Sequence, residues 1–338
     1  MPELRRDLVT HKWVITGTRS EEEFMKSLSP QDEITAGQCF FCDGNEDKTL
    51  PEIYSIRKYD TKPNTRGWQV RVVPSKSAVF KINGPEGKIG HGIYDLMNNI
   101  GAHELIIESP QHIKNISDMP LEDILRVLKV YQSRIVDLAN DERLKYVLIF
   151  KNQRPQSPYR YGHTHSQLAA LPIIPKTVKE ELTSAKEYFS YKERCLFCDI
   201  IRQEQKDKSR IVEENSDYIS FVPFAAKFPF EMHIMPKNHN ADYRRESESS
   251  LRNFAHILKL SLGKLAAALN DPPLNYVIHT IPYLRPALGY WNTINKDFHW
   301  HLEINPQVIE VTGFELGSGF HIEPVLPEIC AKILREAK

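Results

Sequence analysis

The sequence has no long apolar run and no excess of charge of either sign. No stretch approaches the roughly 20 apolar residues that span a bilayer, and the opening residues MPELRRDLVTHKW contain no apolar segment of signal-peptide type. The 44 basic and 44 acidic residues give a formal net charge of +0, which provides no electrostatic basis for binding a nucleic acid. We therefore expect a cytoplasmic protein with small-molecule partners and neither a membrane nor a nucleic-acid partner.

Cysteine is also scarce, with five residues in a chain of 338. So few cysteines exclude a disulfide framework of the kind that stabilises small secreted domains. Four of them form two Cys-x-x-Cys pairs, Cys39 with Cys42 and Cys195 with Cys198, which indicates metal or redox chemistry. The fifth, Cys330, stands alone in a helical tail and is expected to be a buried apolar residue.

The apolar periodicity predicts an α+β protein. Residues 121–139 and 250–269 carry apolar stripes typical of amphipathic helices that cover a sheet. Short β-rich runs surround them, at 104–108, 146–151, 218–223, 232–236 and 276–280. A polar, helix-forming segment at 175–194 is expected to connect two halves of the chain.

The same order of features occurs twice, which predicts a duplicated architecture. Each half has a Cys-x-x-Cys pair, a strand that leads to a histidine, a long helix, another strand and a His-x-His motif. We place the boundary near residue 190, so that residues 1–190 form one domain and 191–338 the other.

Each half supplies two cysteines and two histidines, the ligand set of a closed tetrahedral zinc site. The predicted sets are Cys39, Cys42, His112 and His163 for the first Zn²⁺, and Cys195, Cys198, His239 and His299 for the second. Taken singly, a Cys-x-x-Cys pair is equally compatible with a redox pair or with two buried thiols. The matched histidines favour structural metal sites, although iron remains an alternative in the second.

The motif His163-Thr164-His165 follows a predicted strand, so its two histidines point to the same side. One can bind metal while the other faces a substrate. A neutral imidazole whose far nitrogen donates to a fixed acceptor is a good nucleophile for phosphorus, and Ser166 and Gln167 could then donate to phosphate oxygens in the transition state. The alternative, that both histidines bind one metal, is equally compatible with the motif.

These residues resemble a known family, the galactose-1-phosphate uridylyltransferases, a branch of the histidine-triad superfamily. The similarity runs along most of the chain through the segments LRRDLVTHKWVI, CFFCDGNE, HELIIESPQH, HTHSQ, VPFAAKFPFEMHIMPKNH, FHWHLEINP and TGFELGSGF. The segments NDPPLNYVIHT and GFELGSG and the second cysteine pair are similar to the plant ADP-glucose phosphorylase group.

The resemblance implies a fold, a mechanism and roles for individual residues. The implied fold is an antiparallel half-barrel with covering helices in each half. The implied reaction is ping-pong, through a nucleotidyl intermediate on His165. Gln167 is implied to contact the transferred phosphoryl group, and Asn152 to lie beside the nucleotide. The partner in a homodimer is implied to contribute the segment of Gly313, Phe314 and Glu315 to the sugar phosphate.

The chain also departs from the family pattern. Residues 153–162 replace a glycine-rich loop, with Arg154 where the first glycine and Arg160 where a serine would stand. Arginine guanidinium groups are therefore expected to replace backbone donors around phosphate. Ser75 takes the place of a nucleotide-contacting asparagine, and Arg19 is placed with it among the nucleotide-binding residues. In the second half, Leu302 and Glu303 follow His301, so we expect a structural or metal-binding role there, with His279 joining it.

The leading hypothesis is a nucleotidyltransferase of carbohydrate metabolism that acts on a nucleotide sugar and a sugar phosphate or phosphate. UDP-glucose with a hexose 1-phosphate, as in galactose metabolism, is the default pair. ADP-glucose or a dinucleoside polyphosphate with phosphate is the near alternative. The altered loop at residues 153–162 suggests a third hypothesis, a non-catalytic nucleotide-binding homologue. The intact HTHSQ motif argues against it.

Overall fold

A single ten-stranded antiparallel sheet organises the computed structural model, which describes residues 2–27, 39–58, 60–153, 162–285 and 291–338. The strands of this sheet are β3 (Tyr54–Arg57), β4 (Trp68–Pro74), β7 (Ala102–Ile107), β8 (Tyr146–Gln153), β9 (His165–Leu171), β10 (Ile211–Glu214), β11 (Tyr218–Phe221), β12 (Met232–Pro236), β13 (Leu274–His279) and β14 (His301–Pro306). Two smaller sheets are built from β1 (Glu3–Arg6), β2 (Trp13–Thr16) and β15 (His321–Glu323), and from β5 (Ile89–His91) and β6 (Tyr94–Leu96).

Eight α-helices occur in the described part of the chain. They are α1 (Glu21–Ser27), α2 (Leu121–Leu138), α3 (Lys176–Lys192), α4 (Leu196–Asp207), α5 (Glu248–Leu269), α6 (Ile294–Asp297), α7 (Gly313–Ser318) and α8 (Pro327–Glu336). Short 3₁₀ turns cover Glu46–Lys48, Ile116–Asp118 and Tyr243–Arg245. The predicted helices at 121–139 and 250–269 are confirmed to within two residues, and α3 occupies the predicted connection.

The strand order repeats the architecture of one half in the other. The sheet runs β3, β4, β7, β9, β8, then β13, β14, β12, β11, β10, so the two halves meet edge to edge between β8 and β13. Strands β9 and β14, each of which begins at the second histidine of a His-x-His motif, take equivalent places. The predicted α+β fold with a duplicated antiparallel architecture is confirmed, while the domain boundary at 190/191 stays a prediction.

The long helices α2 and α5 pack against each other and bury one face of the sheet. Along α2, Ile124, Leu128, Tyr131 and Ile135 share the buried stripe at helical spacing. The same buried cluster includes Ile106, Leu168, Ile234 and Leu302 of the sheet. Cys330 of α8 is fully buried in the same core, as predicted, and burial raises the pKa of its thiol well above its usual range.

Alternation along the strands sorts the functional side chains between the two faces. On β9, Ser166 and Leu168 point into the helix-covered core, whereas His165 and Gln167 point to the opposite face. On β14, Leu302 points into the same core and His301 to the opposite face. Within the described ranges, no helix is long and apolar enough to cross a membrane.

Candidate active site and metal centres

His165 stands at the first position of β9 and is half-buried. Its Nδ1 lies 2.9 Å from the carbonyl oxygen of His163, and a carbonyl can only accept, so Nδ1 carries the proton. Nε2 therefore keeps its lone pair. Burial lowers the pKa of the ring, which makes the neutral, nucleophilic form the stable one at pH 7. The Phe41 ring packs 5.2 Å from the His165 ring and limits its rotation.

His165 opens into a cavity of ≈ 290 Å³ at the end of the sheet. The cavity combines an apolar wall with convergent polar groups, the composition typical of a small-molecule site. The polar residues that line it are Lys48, Thr49, Ser75, Lys76, Ser77, Asn152 and Gln167, and the apolar ones are Phe40, Phe41, Leu50, Val73, Pro74 and Leu105. The structure thus brings Ser75, Asn152 and Gln167 to the same cavity as the predicted nucleophile.

The amide of Gln167 is oriented by His103, a residue that the sequence interpretation missed. The backbone N–H of Val79 donates to His103 Nδ1 at 3.3 Å, so His103 Nε2 carries the proton and donates to Gln167 Oε1 at 2.9 Å. The NH₂ group of Gln167 is then left to donate into the cavity beside His165. A donor in this position can stabilise the negative charge that develops on a phosphate oxygen in the transition state.

The structure does not bring Ser166 to this cavity. Its hydroxyl is fully buried on the other face of β9, where it donates to Glu108 Oε1 at 2.7 Å and lies 2.6 Å from the Tyr131 hydroxyl. Because adjacent residues of a strand face opposite sides, Ser166 cannot reach a phosphate held by His165 and Gln167. We therefore leave Ser166 out of the phosphate-contacting set.

The first predicted metal ligands converge on one point. Cys39, Cys42, His112 and His163 place their ligand atoms within 4.8 Å of one another. The Cys39 Sγ to His163 Nδ1 distance is 3.5 Å and the Cys42 Sγ to His112 Nδ1 distance is 3.4 Å. A tetrahedral zinc with Zn–S near 2.3 Å and Zn–N near 2.0 Å would separate such atoms by about 3.5 Å.

The His163 ring is prepared to act as a ligand. Its Nε2 donates to the Ser109 carbonyl at 2.8 Å, which leaves Nδ1 as the free lone pair directed at the two cysteines. Burial lowers the pKa of His163 to about 4, so the ring stays neutral at pH 7. Burial, reinforced by the neighbouring Cys39, raises the pKa of Cys42 to about 11, so this thiol would need a bound cation to ionise at pH 7.

The second predicted set repeats this geometry. Cys195, Cys198, His239 and His299 again have ligand atoms within 4.8 Å of one another. The Cys198 Sγ lies 3.4 Å from His239 Nδ1 and 3.6 Å from His299 Nδ1. The far nitrogens donate to backbone carbonyls, His299 to Pro236 at 2.8 Å and His239 to Asn295 at 3.0 Å. Both predicted four-residue sets are therefore brought together.

His301, the counterpart of His165 in the second half, is buried in a charged cluster. Its ring stacks on His279 at 4.8 Å, and the His279 Nδ1 lies 2.9 Å from Glu181 Oε2. Glu303, two residues after His301, pairs with Lys227 at 3.1 Å. Burial lowers the pKa of His301 well below its usual range. The carboxylates of Glu181 and Glu303 lie 3.9 Å and 4.0 Å from its Nε2, so their negative charge would repel a phosphate at this nitrogen. The expected association of His279 with His301 is confirmed.

Four other predicted site residues, Arg19, Gly313, Phe314 and Glu315, do not line the His165 cavity of their own chain. Arg19 is exposed, and its backbone N–H donates to the Pro324 carbonyl at 2.9 Å. Gly313, Phe314 and Glu315 begin the short helix α7, where the Glu315 carboxylate forms a capping box with Thr312. Half of the Phe314 side chain is exposed, at 50%. Arg160 and Arg154 lie outside the described residues.

Comparison with known proteins places this site in a family. The model of the galactose-1-phosphate uridyl transferase N-terminal domain matches residues 71–175, and that of the C-terminal domain matches residues 181–328. The ADP-glucose phosphorylase of Arabidopsis thaliana is 36% identical over 345 residues, which cover 99% of this chain and 93% of that protein. The galactose-1-phosphate uridylyltransferase of Thermotoga maritima is 25% identical over 346 residues, which cover 100% of this chain and 99% of that protein.

The solved structures agree. The crystal structure of an ADP-glucose phosphorylase from Arabidopsis thaliana with bound ADP-glucose superposes with a TM-score of 0.81 at 34% identity, covering 100% of this chain and 99% of that one. With its His165 cavity, its paired cysteine and histidine sets and its repeated sheet, the chain belongs to the galactose-1-phosphate uridyl transferase family of nucleotidyltransferases.

Proposed function

We propose that His165 Nε2 attacks the α-phosphorus of a nucleotide sugar and carries the nucleoside monophosphate to a second substrate. The observation that carries this proposal is the 2.9 Å hydrogen bond from His165 Nδ1 to the His163 carbonyl. That bond leaves Nε2 free to attack, and it stabilises the positive charge that the ring gains when the N–P bond forms. Gln167 donates to the phosphate oxygens while this occurs.

ADP-glucose is the donor that we propose, with inorganic phosphate as the acceptor. In the first step the His165 N–P bond forms, the bond between the α-phosphorus and its bridging oxygen breaks, and glucose 1-phosphate leaves. In the second step a phosphate oxygen attacks the same phosphorus, which releases ADP and restores the neutral imidazole. The choice of donor rests on the 36% identity to the ADP-glucose phosphorylase of Arabidopsis thaliana, against 25% to the galactose-1-phosphate uridylyltransferase of Thermotoga maritima.

We further propose that each Cys₂His₂ set binds one Zn²⁺. Two thiolates and two imidazoles at this spacing suit zinc, and four protein ligands leave no open position for a substrate. When bound, the metal supplies structural rigidity, because the first set includes His163, whose carbonyl orients His165. The second set has the same sulfur and nitrogen donors, and we assign zinc rather than iron to it on that ground.

A cytoplasmic homodimer is the proposed form of the protein. The segment of Gly313, Phe314 and Glu315 does not line the His165 cavity of its own chain. The exposed Phe314 and Leu316, at 50% and 78%, form an apolar surface on α7 that a second copy would cover. In this arrangement the segment of one copy meets the sugar phosphate bound in the other.

Product analysis tests the donor and the acceptor. The protein is incubated either with ADP-glucose and phosphate or with UDP-glucose and galactose 1-phosphate, and products are separated by ion-exchange chromatography. We expect phosphate-dependent release of ADP and glucose 1-phosphate, with a kcat/KM at least about tenfold above that of the uridylyl reaction. A preference for the uridylyl pair would overturn the proposed base. Turnover that survives in His165→Ala would overturn the nucleophile.

A further inference from the structure

A buried ion pair lies directly behind the strand that carries His165. Lys151 of β8 and Glu108, which follows β7, are both almost inaccessible to solvent, at 1% and 0%. The Lys151 Nζ lies 2.5 Å from Glu108 Oε2. Burying two charges costs free energy unless the geometry is good and every polar atom is satisfied, so the partners of this pair are informative.

All three N–H groups of the Lys151 ammonium have an acceptor, and two of these acceptors belong to the nucleophile segment. The ammonium donates to Glu108 Oε2, to Thr164 Oγ1 at 2.8 Å and to the carbonyl oxygen of His165 at 3.0 Å. Thr164 also donates to Glu108 Oε2. The Lys151 ammonium therefore binds both the Thr164 hydroxyl and the backbone carbonyl of His165.

The carboxylate of Glu108 fixes the other side of the segment. Its Oε1 accepts from Ser166 Oγ at 2.7 Å and from the Tyr131 hydroxyl at 3.1 Å. The Tyr131 hydroxyl lies 2.7 Å from that of Tyr276 on β13. Burial would raise the pKa of Glu108, but the Lys151 charge and these hydrogen bonds outweigh it and lower that pKa, which keeps the carboxylate ionised.

The second half of the molecule builds the same fold without these charges. Counting from the His-x-His motif, Trp300 and Leu302 stand where Thr164 and Ser166 stand in the first half. The strand registers place Ile278 in the position of Lys151 and Pro236 in the position of Glu108. All four residues are apolar and buried. The fold therefore does not require charged side chains at these four positions. The Lys151–Glu108 network occupies them in the half that carries the proposed nucleophile.

We propose that Lys151, held in place by Glu108, is a positioning residue for nucleotidyl transfer by His165. Its hydrogen bonds fix the His165 carbonyl and Thr164, and the geometry of this segment sets the distance between the His163 carbonyl and His165 Nδ1. The ring is thereby aimed at the phosphorus before substrate binds. The inference rests on the proposed function, because it presupposes that His165 is the nucleophile.

A second buried ion pair provides a matched control. Glu104 lies on the same face of β7 as Glu108, and Arg134 of α2 donates to both of its oxygens at 2.8 Å. This pair is as deeply buried, with side chains 4% and 5% exposed. Among the described residues, neither side chain forms a hydrogen bond with residues 163–167. Neutralising Glu104 and Arg134 therefore removes a buried ion pair of the same kind but leaves the hydrogen bonds to Thr164 and His165 in place.

The test compares the full-length double variants Glu108→Gln/Lys151→Met and Glu104→Gln/Arg134→Met with the wild type. Replacing both partners avoids an unpaired buried charge. The single-turnover rate of labelling by ADP-glucose, the donor affinity, the zinc content and the thermal midpoint are measured for each. We expect Glu108→Gln/Lys151→Met to label about 10²-fold more slowly, as a misplacement of about 1 Å would cause, with unchanged donor affinity and zinc content. The control should label at nearly the wild-type rate.

Equal labelling rates in Glu108→Gln/Lys151→Met and the wild type would overturn the inference, as would equal slowing of both double variants. Should the first double variant fail to fold, Thr164→Val keeps both charges and removes one anchor. It should label several-fold more slowly with unchanged donor affinity, and a wild-type rate would again overturn the inference. Absence of labelling in the wild type would instead count against the proposed function.

Discussion

His165 Nδ1 donates a hydrogen bond to the backbone carbonyl of His163, at 2.9 Å, and His163 is itself a member of the first Cys₂His₂ set. The residue that would bind metal through its side chain thus orients the nucleophile through its backbone. In the proposed function the two histidines of the motif therefore have separate roles, His163 as a metal ligand and His165 as the nucleophile. The hydrogen bond thus connects the proposed metal centre with the tautomer of the His165 ring and with the direction in which Nε2 can attack.

Replacing each histidine singly should separate metal binding from labelling. His163→Ala removes one of the four ligands of the first set, so we expect loss of about one equivalent of zinc per chain. His165→Ala removes no ligand and should retain the wild-type zinc content while abolishing labelling by donor. Inductively coupled plasma mass spectrometry measures the metal. His299→Ala and His301→Ala form the matched pair in the second half, and only the former should lose zinc. Equal loss in His163→Ala and His165→Ala would contradict the assigned roles.

Gln167→Glu should impair transfer far more than donor binding. The substitution keeps the side-chain shape but replaces the NH₂ donor with a negative oxygen beside the phosphate. Loss of one such donor typically reduces kcat by about 10²–10³-fold. The measurement is the single-turnover labelling rate as a function of donor concentration. Glu303→Gln makes the reverse exchange at the equivalent position of the second half. A wild-type rate in Gln167→Glu would exclude a phosphate contact.

His103→Leu should reproduce part of this effect without touching the substrate. Without the hydrogen bond from His103 Nε2, the Gln167 amide can rotate, so its NH₂ group points at the phosphate for only part of the time. We expect the labelling rate to fall by about tenfold, in line with the loss of an orienting neighbour. The double variant His103→Leu/Gln167→Glu should be no slower than Gln167→Glu alone. Additive effects would show that His103 acts on its own.

Glu323 makes stability depend on pH. Its side chain is fully buried, and its Oε2 has no hydrogen-bond partner among the residues that the structure describes. Burial raises the pKa of this carboxyl well above its usual range. The folded state therefore keeps a proton that the unfolded chain releases above about pH 4.3. Wild-type stability should consequently fall as pH rises from about 4.3 towards the raised folded-state pKa.

Glu323→Gln removes this proton linkage, so we expect it to stabilise the protein by about 1 kcal/mol at pH 8 and to have little effect at pH 4. Urea titrations at the two pH values measure the difference. Glu328→Gln should behave in the opposite way, because Arg5 and Arg210 lower the pKa of Glu328 against the effect of burial, and the stabilisation from its ionised form is present above the unfolded-state pKa. A pH-independent effect of Glu323→Gln would contradict the assigned linkage.

Much of the fold was predictable because its signals are local. The stripe on α2 and the apolar runs of β8 and β12 repeat at helix or strand period, and the structure places these elements within a few residues of the prediction. The convergence of each Cys₂His₂ set was predictable from the spacing of Cys-x-x-Cys and from the repeat of His-x-His. Duplication helped, because each half served as a check on the other.

The remaining features depend on which strands become neighbours. Lys151 and Glu108 meet only because β8 and β7 both pair with β9. The sequence alone does not predict this strand pairing or its register. A charged residue in phase with the buried positions Val147 and Ile149 of β8 was the available signal for Lys151. For Ser166, simple alternation from His165 already placed its side chain on the opposite face, and the predicted phosphate contact did not take this alternation into account.

Mixing two variants tests whether the sugar-phosphate segment acts between copies. His165→Ala lacks the nucleophile, and Phe314→Ser alters the exposed residue of the segment. In a two-fold symmetric dimer, a mixed dimer has one intact site, so random exchange should restore about one quarter of wild-type turnover. The assay follows phosphorolysis of ADP-glucose after unfolding and refolding the two variants together. No restoration above the separate variants would contradict a shared site.

The measurement closest to the central claim is the intact mass of the protein after brief incubation with ADP-glucose or UDP-glucose, each without acceptor. We expect ADP-glucose to add one adenosine monophosphate to the wild type, phosphate to remove it, and His165→Ala to gain no mass. An equal increment in His165→Ala, or no increment in the wild type with either donor, would contradict covalent transfer through His165.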